Sequence, residues 1–81
     1  MNIERFFELA EKANDTELVW LTNKLISALS HGSAKIDDMV IFHRLYGKKV
    51  VAIIVEWGRQ GLRHEEVVES VAESMRTRLE A

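Results

Sequence analysis

The sequence predicts a small all-α domain of four helices that pairs with a second copy of itself as a dimeric helical bundle. Three observations support that fold class. Apolar residues recur every three to four positions over most of the chain, the spacing of a helix face. The 81 residues contain no proline and only four glycines, too little turn material for a many-stranded sheet. The central third, "VVAIIVEW" at Val50–Trp57 above all, is apolar on more than one side, so as a helix it must be surrounded.

The first element is "NIERFFELAEKA". It sets Ile3, Phe6, Phe7, Ala10 and Ala13 on one face and Glu4, Arg5, Glu8, Glu11 and Lys12 opposite, with Asn2 placed as N-cap. Asn14, followed three residues later by Glu17, has the spacing of a capping box, and Asp15 is the competing cap. A second helix then runs from about Thr16 to Ser30, with Leu18, Leu21, Leu25, Ala28 and Leu29 as its buried stripe and Gly32 as a left-handed end.

Trp20 lies off that stripe, beside Glu17, Lys24 and Ser27. Either a neighbouring helix covers it, or it is an exposed anchor for a partner, since tryptophan is enriched among interface hot spots. On the second reading Trp20, Glu17 and Lys24 form a protein-binding surface.

The stretch "SAKIDDMVIFHRLYGKKVVAIIVEWGRQG" reads as one long helix. Its main stripe is Ile36, Val40, His43, Gly47, Val50, Ile54 and Trp57, flanked by Met39, Phe42, Tyr46 and Ile53. Asp37 and Asp38 suit its first turn, and Gly61-Leu62 suits a Schellman end. The alternative is an α+β fold with a central β-hairpin at about 40–57, "VIFHRLY" and "KVVAIIVEW" flanking a turn at Gly47-Lys48. These runs lack period-two alternation, which favours the helix, with a break or close crossing at Gly47.

On the far side of this helix Asp38, Lys48, Lys49, Glu56 and Arg59 are interrupted by Ile41, Leu45, Val51, Ala52 and Val55. Three short helices cover about two of its sides. A second copy is expected on the remainder, with Ile41, Leu45, Val51 and Val55 as the self-association face. A monomeric bundle that buries the same residues is the alternative. The last helix is "LRHEEVVESVAESMRTRLEA". Its stripe is Val67, Val68, Val71, Ala72, Met75 and Leu79, with Glu65 and Glu66 at its start and Arg76 and Arg78 at its end.

The length suits one domain over residues 1–81. The absence of cysteine removes disulfides and thiolate metal sites and fits a reducing cytoplasm, the expected location. Charges interrupt the N-terminus too often for a signal sequence, and the run Val50–Val55 is far below the roughly 20 residues of a membrane span. Net charge is −2, split as −2, +2 and −2 over residues 1–32, 33–62 and 63–81, far from the basic stripe of phosphate-dominated binding.

No chemical signature stands out. His31, His43 and His64 form no HExxH or His-x-His pair, so no metal site is expected. No Gly-x-Ser-x-Gly elbow surrounds any serine, and "GKK" at Gly47–Lys49 lacks the glycine spacing of a phosphate loop. Asp37-Asp38 and Glu65-Glu66 fall at helix starts, where dipole complementarity explains them. Neither a catalytic residue nor a cofactor is expected. "EWGRQGLRHEEVVESV" has the outline of a helix-turn-helix turn, but Glu65 and Glu66 would then face phosphates.

The expected function is therefore non-catalytic: an adaptor, inhibitor or regulatory protein that binds another protein as a helical homodimer, away from any membrane. The alternative is a dimeric nucleic-acid-associated regulator using Lys35, Arg44, Lys48 and Lys49.

Overall fold

Three of the four helix starts fall where the sequence supplies a side-chain acceptor for a free N–H group. Asn2 Oδ1 accepts the Arg5 N–H at 3.1 Å and opens α1 (Ile3–Lys12). Asn14 and Glu17 exchange two 2.9 Å hydrogen bonds, a reciprocal box that opens α2 (Asp15–Ser30). The Asp38 carboxylate accepts the Lys35 N–H at 3.0 Å at the head of α3 (Ile36–Arg59). Helix α4 (His64–Glu80) begins with Glu65 and Glu66 in its first turn.

The two long ends close on glycine. Gly32 and Gly61 take φ of 74° and 73°, a region costly for any residue with a Cβ. The Ser33 N–H then reaches the Ala28 carbonyl at 2.8 Å and the Leu62 N–H the Trp57 carbonyl at 2.9 Å, both Schellman closures.

In this computed structural model, which describes residues 1–81, these four helices form one all-α bundle without strands. The β-hairpin alternative at 40–57 is thus excluded, and α3 runs unbroken through Gly47. Apolar side chains at a 3.6-residue period bury one helix face, whereas in strands they would scatter over both faces of a sheet.

The surrounded helix is α2, not α3. It packs against all three others and buries Leu18, Val19, Trp20, Leu21, Leu25 and Ala28. Trp20 is 7% exposed and belongs to the core cluster, so of its two readings the covered one holds and the exposed anchor does not exist. Its face of α2 is covered by α1 and α4: Glu17 pairs with Arg78 of α4, and Lys24 and Ser27 share a recess with Asn2 and Leu79.

The stripe of α3 also differs from expectation. Phe42, Val50, Ile53 and Trp57 are buried and Met39 and Tyr46 half-buried, while Val40, His43 and Ile54 face outward. Phe42 stacks at 5.5 Å on Phe6 and 5.1 Å on Tyr46. Rotating α3 to bury Phe42 and Tyr46 removes far more apolar area from water than burying His43 and Gly47 would.

Candidate functional site: the outer face of α3

Helix α3 is about 35 Å long by its helical rise, as long as the 33 Å principal extent of the molecule. Only one side of it meets the bundle. Ile36 (75% exposed), Leu45 (62%), Val51 (58%), Val40, Ile41, Ile54 and Val55 all face outward. Soluble monomers rarely expose contiguous apolar patches larger than a few hundred Å², and such patches mark interaction sites.

At 100° per residue the patch divides into two strips. Val40, His43, Gly47, Val51 and Ile54 run along the edge nearer α2. His43, Gly47 and Val51 of this strip line a groove together with Thr22 and Ile26 of α2 and with Met39, Phe42 and Val50. Ile41, Leu45 and Ala52 form the second strip on the far side, with Val55 between the two. A Cβ built at Gly47 would sit 2.7 Å from His43 Nδ1, so the imidazole covers the glycine.

All four residues expected to self-associate, Ile41, Leu45, Val51 and Val55, are exposed. They do not share one strip. Ile26, 50% exposed on α2, extends the patch and carries no periodic signal, because it sits one residue off the Leu25 stripe.

Of the expected cations, Arg44 and Lys48 lie one turn apart on this face. Lys49 points toward the other flank, and Lys35 is about 13 Å along the axis from Arg44. None of the four joins an ion pair. They form no continuous basic strip.

Glu17 and Lys24, expected beside Trp20 at a partner surface, act within the fold. Lys24 Nζ stands 5.8 Å over the Trp20 ring, a cation–π contact. Arg78 donates to the Glu17 carboxylate, and Arg5 Nε donates to the Arg78 carbonyl at 3.0 Å, so α1, α2 and α4 meet at one polar seam. The Arg78 hydrogen bond and the Asn14 N–H hold the Glu17 carboxyl below its ordinary value of 4.5, against a smaller opposing effect of burial. The Arg78 Nε–H is buried without a partner, which offsets part of the gain.

The histidines are dispersed. His31 Nδ1–H donates to the Ser27 carbonyl at 2.8 Å, and Asn23 Nδ2–H donates to His64 Nε2 at 2.8 Å beside Trp57. No three His, Asp or Glu side chains converge as a ligand set. No helix is long and apolar enough to cross a membrane. Comparison with family models, with curated proteins and with solved structures finds no match to this chain.

Proposed function

We propose that the protein works by binding, as a helical homodimer joined through α3, and serves another protein as an adaptor, inhibitor or regulatory subunit. One observation carries the proposal: seven large aliphatic side chains stand exposed on a single helix whose chain has a formed core elsewhere. Trp20, Glu17 and Lys24 take no part in it, because the fold already uses them. Sedimentation equilibrium at about 100 µM tests it, since mass action favours the dimer there. A species near twice the 9.3 kDa chain mass is expected, and a monomer at every concentration overturns it.

The exposure of Arg44 and Lys48, unpaired and one turn apart, favours nucleic acid as the second reading. A gel-shift titration at two salt concentrations separates the two. Duplex that shifts at low salt with a steep salt slope replaces protein binding with phosphate binding.

A further inference from the structure

We infer that the second copy docks antiparallel on α3, with the two-fold axis passing between the two helices at the level of Gly47. This rests on the dimer proposed above and specifies its geometry.

The strip nearer α2 reads Val40, His43, Gly47, Val51 and Ile54, at intervals of 3, 4, 4 and 3 residues. Ile36 and Gly58 extend it by four residues at either end. Such spacing is symmetric about any residue of a helical row; what singles out Gly47 is its place at the midpoint of α3, where a two-fold pairs the two helices over their full length. A two-fold dimer needs a patch that complements itself. Here the rotation brings Val40 against Ile54 of the partner subunit and His43 against Val51 of the partner subunit. The His43 ring lies against Gly47, within 3.2 Å of where a Cβ would stand, and fills the small residue's place at the crossing.

The strip's own aliphatic residues, Ile36, Val40, Val51 and Ile54, expose roughly 350–400 Å² per chain, half of the about 800 Å² per partner of a standard interface, which suits a dimer of modest affinity. Ile26 lies alongside and adds to it.

Charges favour the antiparallel sense. At each end Asp37 comes near Arg59 of the partner subunit, whereas a parallel pair would set the two Asp37-Asp38 dipeptides side by side. Near the axis, Arg44 and Lys48 of both chains gather on the solvent side. Their repulsion weakens the dimer at low salt and is screened as salt rises. That dependence is opposite in sign to nucleic-acid binding.

The chain has no cysteine, so introduced thiols report only on themselves. Val40→Cys with Ile54→Cys in one chain is expected to give a covalent dimer under mild oxidation. Val40→Cys alone is not, because its two copies stand about 21 Å apart by helical rise, beyond disulfide reach. Both positions are exposed, and unchanged circular dichroism verifies the fold. Sedimentation of the parent chain at about 0.05 M and 0.5 M salt should show several-fold tighter association at the higher value. If Val40→Cys alone cross-links as fast as the double variant while the parent remains dimeric, the geometry falls and the dimer stands. A parent chain monomeric at both salts overturns both, and its capture on phosphatidylserine vesicles would assign the face to a lipid surface instead.

Discussion

Glu17 joins a local device to a long-range one: its carboxylate closes the α2 capping box and receives Arg78 from α4. Because its pKa is lowered in the fold, the pair stabilises the protein above the ordinary carboxylate value of 4.5 and is lost as pH falls through the lowered value. Glu17→Gln preserves the box acceptor and removes the charge. It should cost about 1 kcal/mol near pH 7, modest because Arg78 is partly exposed. The urea midpoints of parent and variant should converge as pH falls below the lowered value, where Glu17 is itself neutral. Trp20→Ala is the larger lesion at about 3–5 kcal/mol, out of the about 4–12 kcal/mol expected for a chain of this size. Urea unfolding followed by circular dichroism should show a large drop in midpoint; an unaltered midpoint would return Trp20 to the surface.

Helices α2 and α3 owe their ends to glycines, and two of the three turns between helices depend on them. Gly61→Ala meets nothing within 4 Å, so its cost is purely that of the left-handed backbone, about 1–2 kcal/mol by thermal or urea unfolding. Gly47 is different in kind, since α3 passes through it in ordinary helical conformation. A methyl there meets the His43 ring, which is exposed and can rotate away. Gly47→Ala should therefore leave unfolding of the isolated chain within about 1 kcal/mol while weakening association measured by sedimentation. Caps and ends were legible in the sequence because Asn2, Asn14, Gly32 and Gly61 act within five residues of themselves. The buried side of α3 was not, because two apolar strips on one helix have the same period.

At the scale of the molecule, the bundle has solved one burial problem and left another open. Three helices enclose α2, and α3 closes the bundle with its outer face uncovered. Val51→Lys adds a cation to the proposed seam beside Arg44 and should cost about 2 kcal/mol or more of dimer stability, read as a rise in the dissociation constant. Leu45→Lys lies on the other strip and should leave the dimer intact by the same measurement. Equal effects of the two would place the seam across both strips. Whichever strip the dimer leaves free is the surface on which a further protein would sit.

What the sequence determined by itself was local: four helices, their caps, their glycine ends, and the surplus of apolar residues between Ile36 and Trp57. Each follows from hydrogen bonds and periodicities within a few positions of one another. Which helix sits at the centre, and which strip of α3 faces inward, were decided only by tertiary packing. The bundle turned Phe42 toward Phe6, with Tyr46 against Phe42, because aromatic area outweighs a row containing histidine and glycine. It buried Trp20 because α1 and α4 close over that side of α2. A spacing rule describes one helix, and burial depends on the area its neighbours offer in return.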